Sequence, residues 1–430
     1  MSVRTRRQFL QHSLATGAGL ALAARSGSAQ KASPGEKLNL GIIGVANRGG
    51  DNLNGVAEQN QNIVALCDID DNYLAAAKQR FPMAETYNDF RKMLERKDLD
   101  AVVVSTPDHC HAPATAMALE LGLHTYCEKP LAHTVYEARR LAELAKKHKR
   151  VTQMGTQIHA ENNYRRVVEV IRSKAIGEVR EVHVWADRVW AGGVVPSDKP
   201  PVPANIHWDL WQGPVPERSY SPVYLPATWR GYWAYGNGTL GDMACHHMDL
   251  PFWALDLRYP TRVAAEGPEV NSETTPAWLM VHYDFPERQQ LPAVKLTWYN
   301  GGKRPPHFAE GKLPRWGDGT LFVGDKGMLL ADYGRYRLLP ETDFADYKPP
   351  TPTIPDSIGH HKEWIEACKT GGPTTCNFDY SGALSEAVLL GCVAYRTGHA
   401  IDWDPKGLRC RRSKVATEML KPHFRPGWKI

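Results

Sequence analysis

The chain has 430 residues, of which 42% are hydrophobic and 23% charged, an ordinary globular composition with room for two domains that each bury a core. Its formal net charge of +5 owes four arginines, Arg4, Arg6, Arg7 and Arg25, to the first 29 residues, which contain no acid. Without them the balance falls to about +1, which excludes a basic surface built for nucleic acid.

Those first residues, 1–29, read as a signal peptide. Thr5-Arg6-Arg7-Gln8-Phe9-Leu10 precedes a mild apolar run, Leu14 to Ala24, and a small-residue site at Gly27-Ser28-Ala29, the pattern of a twin-arginine export signal. The run is diluted by Gly and Ala and is about half the roughly 20 residues a membrane span requires, so no stable span is expected in the mature protein; a retained anchor is the alternative. Export implies a periplasmic or cell-envelope location, with the twin-arginine export machinery as a partner. The eight cysteines contain no CxxC pair, so a zinc knuckle is not expected, and folding before export predicts free, buried thiols.

From Leu38 to Gly155 short apolar runs alternate with helical stretches: LNLGIIGV, NIVALCD, AVVVSTP and HTYCE, separated by 3.6-residue periodicity over Tyr73 to Arg80, Ala112 to Leu121 and Val135 to His148. That pattern predicts an α/β Rossmann-type dinucleotide-binding domain over residues 36–155. Beyond it, β-branched and aromatic alternation over Val179 to Trp185, Trp278 to Phe285 and Val294 to Trp298 predicts an α+β domain, residues 156–405, on a large and mostly antiparallel sheet. A Pro- and Trp-rich loop region, Val194 to Arg230, lies within it. Helical spacing returns at 357–369 and 382–396, helices expected to pack back toward the first domain, and 406–430 reads as a basic surface tail.

The first strand is followed by Gly44-Val45-Ala46-Asn47-Arg48-Gly49, GxAxxG where a dinucleotide fold usually shows GxGxxG. Gly44, Ala46, Asn47 and Arg48 are therefore candidate cofactor contacts, with the Ala46 methyl group expected to push the phosphates slightly outward. Asp68 closes the second strand 19 residues after Gly49, where an acid is needed to hydrogen-bond a ribose hydroxyl. Asp70 and Asp71 follow with no Arg or Lys to receive a 2′-phosphate, so NAD is expected and NADP disfavoured. Thr106-Pro107 ends the third long strand, and Asp108, His109 and His111 follow at the carboxyl edge where ligands of open α/β sheets sit; His111 either caps the next helix or touches the cofactor.

At Tyr126-Cys127-Glu128-Lys129-Pro130-Leu131 an apolar strand ends in an acid, a base and a rigid proline, which sets a cation where an alkoxide could be stabilised; the bland reading is a surface pair of Lys129 with Glu128. The stretch TPDHCHAPATAMALELGLHTYCEKPL resembles the core segment of the glucose–fructose oxidoreductase and inositol dehydrogenase family, Gfo/Idh/MocA. The resemblance implies that Glu128 and Lys129 lie at the cofactor and that Lys129 stands beside both nicotinamide and substrate. Family members also carry a helix with an Asp, a His four residues on and often an Asp three beyond, which map here onto Asp242, His246 and Asp249 of GDMACHHMD. On one helix these would share a face, whereas His247 would point about 100° away. An imidazole titrates near pH 6.5, so His246 is the candidate proton acceptor, with Asp242 as its orienting partner or as a direct substrate contact. No metal is expected, because two carboxylates and a His on one helix offer no fourth ligand.

The resemblance covers about residues 36 to 405. VTQMGTQIH departs from the Asn-Arg pair many members show, so Gln157 and His159 are candidate lining of a differently shaped substrate pocket. Seven of 13 tryptophans fall between residues 185 and 253; flat indole faces suit sugar C–H faces, and packing is expected to use at least half of them. His207, Tyr232 and Tyr235 are further pocket candidates. Together these readings predict an oxidoreductase moving hydride between a sugar, glycoside or polyol hydroxyl and a tightly bound NAD, in a dimer or tetramer. The alternatives are an NAD-dependent glycoside hydrolase using transient C3 oxidation and elimination, and a non-catalytic NAD-binding sugar sensor.

Overall fold

The computed structural model describes residues 36–195 and 197–430; the twin-arginine motif and the apolar run behind it lie outside the described residues. Six strands, β1 (Asn39–Ile43), β2 (Asn62–Cys67), β3 (Glu85–Tyr87), β4 (Ala101–Val104), β5 (His124–Cys127) and β6 (Thr152–Met154), form one parallel sheet ordered 3-2-1-4-5-6. The central β4, AVVV, is buried at every position, as a parallel strand covered on both faces requires. Helices Arg48–Ala57, Asp71–Arg80, Asp108–Glu120 and Val135–His148 supply crossovers. The last of these starts where the periodicity predicts, because Thr134 and Glu137 close a reciprocal capping box. Strand order reverses between β1 and β4, so the crevice at their carboxyl ends is where this architecture places a ligand.

The second sheet has nine strands ordered 13-12-11-7-10-9-8-14-15. They are β7 (Val179–Ala186), β8 (Arg262–Glu266), β9 (Leu279–Phe285), β10 (Val294–Asn300), β11 (Gly319–Gly324), β12 (Met328–Ala331), β13 (Tyr336–Leu339), β14 (Ile401–Asp404) and β15 (Arg409–Arg411). Only the β7–β10 pair is parallel. Along β9, LMVHYDF, buried residues alternate with partly exposed ones, the period-2 pattern of a sheet with one packed face. No helix among the described residues is long and apolar enough to cross a membrane. All eight cysteines are free and buried.

Two expectations change. Residues 406–430 are not simply a surface tail: β15 pairs with β14, and the helix Lys414–Met419 follows, with Cys410, Ala416 and Leu420 buried. The GDMACHHMD stretch is not one helix but two, Gly238–His247 and Asp249–Ala254. Pro251 lacks the N–H that would bond the His247 carbonyl one turn back, and the Thr320 hydroxyl donates to that carbonyl instead, at 3.2 Å.

Late helices return to the Rossmann half. Trp364, Ile365 and Cys368 of the helix His360–Thr370 enter the core formed with Leu40, Ile42 and Val103. The helix Phe378–Thr397 lies on Val135–His148, where Glu386 accepts from Arg139 Nε at 3.0 Å and Nη2 at 2.9 Å. It also packs on Gly238–His247, so one helix holds a Rossmann crossover and the candidate acid/base helix together.

Candidate active site

At the first β–α turn the residues present fit a dinucleotide. Gly44 has φ +85°, and a Cβ there would stand 2.5 Å from the Ser105 carbonyl oxygen; only glycine takes this turn without a clash. A Cβ at Gly49 would stand 2.2 Å from the Gly44 carbonyl, so the helix start packs against the turn. The helix Arg48–Ala57 has no side-chain cap, and Asn47 and Arg48 at its start are exposed. Its first N–H groups therefore remain for a pyrophosphate. Asp68 ends β2 directly beneath this turn, one carboxylate oxygen accepting from Val45 N–H at 2.9 Å and the other from Asp70 N–H at 3.0 Å. Burial raises its pKa against those bonds. The turn, the uncapped helix and the acid would hold phosphate and ribose respectively.

The Lys129 ammonium does not pair with the Glu128 carboxylate, which takes from Lys129 only the backbone N–H, at 3.2 Å. The ammonium crosses to the second domain, donating to Asp242 Oδ1 at 2.5 Å and to the Asp242 carbonyl at 3.0 Å. Glu128 points the other way and is buried, accepting from Asn52 at 2.9 Å and Gln157 at 2.7 Å. Asp242 is fully engaged: Oδ1 also receives Arg230 Nε at 3.2 Å, and Oδ2 receives the Trp190 indole N–H at 2.6 Å. Burial opposes its ionisation, yet Lys129 and Arg230 outweigh that and hold its pKa well below the ordinary carboxylate range. Asp242 is thus the holder of Lys129 rather than the orienting partner of His246.

His246 sits one turn beyond Asp242 on the same helix, partly buried, with Nδ1 enclosed and unpartnered among the described residues. Burial pushes its pKa well below the usual imidazole value, and the positive charge of Lys129 pushes further in the same direction. At neutral pH it is an uncharged base within the electrostatic reach of the Lys129 ammonium. His247 turns away into the sheet, its Nε2 2.8 Å from the Tyr333 hydroxyl.

Several expected contacts lie elsewhere. Asp249 does not share the Asp242 face, because the break at Met248 turns it inward; it is buried against His159 Nδ1 at 2.9 Å and the Tyr380 hydroxyl at 2.7 Å. His159 is therefore a buried brace stacked 4.2 Å from Trp253, not pocket lining. Gln157 is tied to Glu128 and the Tyr126 hydroxyl, a step removed from Lys129. His111 spans the carbonyls of Pro130 and Thr106, both at 2.7 Å, and so props the loop carrying Lys129 instead of touching a cofactor. Thr106 Oγ1 is enclosed without a partner at the end of β4, and Pro107 caps the next helix. Tyr232 and Tyr235 belong to a closed aromatic cluster with Trp208, Trp211 and Trp229, and His207 lies 3.1 Å from Asp71.

Three further residues stand at the centre. Arg230, in the short 3-10 turn Thr228–Gly231, carried no sequence signal, whereas Trp190 is one of the seven clustered tryptophans whose faces suit a sugar. Asp108 was visible just after Thr106-Pro107 but stood among histidines; it is buried, and burial raises its carboxyl to about 7 against the pull of Arg230 and Lys129.

Comparison with known proteins agrees with this fold. The model of the oxidoreductase family, NAD-binding Rossmann fold, matches residues 38–156, and that of the family's C-terminal alpha/beta domain matches residues 176–292. Inositol 2-dehydrogenase of Salmonella typhimurium is 31% identical over 168 residues, which cover 38% of this chain and 49% of that protein. The chain thus spans about half the length of that relative. A glycosyl hydrolase family 109 protein of Saccharopolyspora erythraea is 28% identical over 321 residues, 68% of this chain and 62% of that protein. The aldose-aldose oxidoreductase of Caulobacter crescentus shares the fold with a TM-score of 0.58 at 18% identity, over 86% of this chain and 100% of that one. With matched segments in both halves and the two sheets arranged as described, this chain belongs to the Gfo/Idh/MocA oxidoreductase family.

Proposed function

We propose that the protein is an NAD-dependent oxidoreductase acting on a hydroxyl of a sugar, glycoside or polyol. The observation that carries this reading is the meeting of Lys129, from the end of β5, with the helix that bears Asp242 and His246. When bound, NAD supplies the hydride acceptor. His246, uncharged at neutral pH, takes the hydroxyl proton. Lys129 donates a hydrogen bond to the same oxygen as charge develops on it and the carbonyl forms. Asp242 keeps the ammonium aimed, and Arg230 and Trp190 fill its remaining hydrogen-bonding capacity. Gly44, Ala46, Asn47, Arg48 and Asp68 would hold the cofactor, with Thr106 and Pro107 as further candidate contacts.

Twin-arginine export to the periplasm or envelope accompanies this proposal, supported by Arg6-Arg7 and the apolar run behind them. A cofactor loaded before export must then be regenerated in place, which favours tight binding; a homodimer or homotetramer is part of the same reading. The test is to denature the purified protein and measure released NAD and NADH, with and without prior addition of sugars and polyols. A substrate should raise the NADH fraction in the wild type, and Lys129→Ala should keep its NAD but show no rise. An equal rise in Lys129→Ala would reject the role of Lys129.

A second reading, NAD-dependent glycoside hydrolysis, is favoured by the family 109 relative aligned over 68% of the chain. Release of an aryl group from an aryl glycoside with no net change in NAD would select it over the first.

A further inference from the structure

The neighbourhood of Asp242 holds more positive charge than oxidation of a neutral alcohol requires. Lys129 Nζ and Arg230 Nε converge on the same oxygen, Oδ1, at 2.5 and 3.2 Å, so two cations share one carboxylate. The other acids nearby do not restore the balance. Asp108 is buried with a carboxyl raised to about 7, so it is largely protonated below that pH. Glu128 is turned toward Asn52 and Gln157. One cation suffices to steady a developing alkoxide, and Lys129 is the one placed beside the His246 helix. Arg230 is left over, and a partly buried guanidinium without a full complement of acceptors is costly.

Arg230 is also held as a binding group would be. Its guanidinium carbon lies 4.2 Å from the ring centre of Trp229 and 5.3 Å from that of Trp190, so two indoles fix its position. Beyond Asp242 its only protein hydrogen bond among the described residues is from Nη1 to the Ala227 carbonyl at 3.3 Å, which leaves Nη2 for a ligand. The side chain is 23% exposed, enough for a ligand to reach it. A planar guanidinium matches a carboxylate in geometry as well as charge, which an ammonium does not.

Resting on the oxidoreductase reading above, we propose that the substrate is a sugar or glycoside bearing a carboxylate, a uronic acid or its glycoside, and that Arg230 binds that carboxylate while Lys129 and His246 address a hydroxyl. Arg230 then sets specificity and takes no part in proton transfer.

The test is a titration that needs no turnover. Tryptophan fluorescence of the purified, cofactor-containing protein is followed on addition of D-glucuronate, D-galacturonate, D-glucose, D-galactose and D-glucose 6-phosphate. The proposal expects at least one uronate to bind tenfold or more tighter than its parent hexose and tighter than the sugar phosphate. Arg230→Gln should erase that preference, Arg230→Lys should retain part of it, and both should keep the thermal midpoint and the NAD content. Equal affinity for acid and neutral sugar in the wild type, tighter binding of the phosphate, binding of no uronate, or an unchanged preference in Arg230→Gln would each overturn it. A uronate preference without any change in the NAD to NADH ratio would leave the binding proposal standing and defeat the redox reading; a ratio change with neutral sugars and no preference would do the reverse.

Discussion

Lys129 and Glu128 are neighbours in the chain and part company in the fold, one crossing 113 residues of sequence to Asp242 and the other sealed against Asn52 and Gln157. Charge complementarity alone would have paired them with each other; the turn after β5 sends them to different sides of the crevice. The state of His246 follows from the same arrangement. Burial and the Lys129 ammonium both disfavour its cation, so its folded-state pKa lies below the ordinary value near 6.5 and it is a free base above that pH. Activity that depends on this base should be lost only as pH falls below that ordinary value, so the acid limb of log kcat/KM belongs on the low side of 6.5. A pH profile of NADH formation checks this, and an acid limb at or above the ordinary imidazole value would contradict it. Lys129, Asp242 and His246 were legible because a motif fixes each by spacing. Arg230 was not, since a residue of one short 3-10 turn acquires its neighbours only through tertiary folding, and Trp190 showed only as one of seven clustered tryptophans; Asp249 leaves the Asp242 face because the helix ends at His247 and a second one starts ahead of Pro251, and it takes His159 into the interior with it.

The elements were easier to read than the contacts between them. Val135–His148 matches its periodicity because a capping box fixes its start, and β4 shows as an apolar run because both its faces are covered. Residues 406–430 read as tail because β15 is only three residues long and its neighbouring helix six, too short for a period to register. The split between Gly238–His247 and Asp249–Ala254 has a cost that the second sheet meets: Thr320 of β11 donates its hydroxyl to the carbonyl that Pro251 leaves without a donor. Thr320 is buried, so Thr320→Val keeps the shape and leaves that acceptor unsatisfied. A loss of about 2 kcal/mol in urea unfolding is expected, with slower turnover if the helix shifts. Unchanged stability in Thr320→Val would show that the carbonyl finds another donor.

Across the whole molecule, the site exists only because two halves of the chain close on each other. One core includes Val102 and Leu141 of the Rossmann half, Val281 and Leu296 of the large sheet, and Leu384 and Val388 of the helix that touches both. That helix, Phe378–Thr397, lies between the crossover Val135–His148 and the helix Gly238–His247, so the position of His246 relative to Lys129 is set by packing more than 100 residues further along the chain. Alternation of strands and helices announced both sheets, and the return of 382–396 to the Rossmann half was expected; that the same helix also packs on Gly238–His247 was not, because helical periodicity shows that a face is buried and not what buries it. The account claims that Lys129 and His246 act on one oxygen as a unit. The direct measurement is the single-turnover rate of NADH formation with saturating substrate in the wild type, Lys129→Ala, His246→Asn and the double variant, each with its NAD content matched. Groups that act together lose their effect together, so the double variant should be no slower than the slower single variant. Losses that multiply, or a single variant as fast as the wild type, would contradict the account.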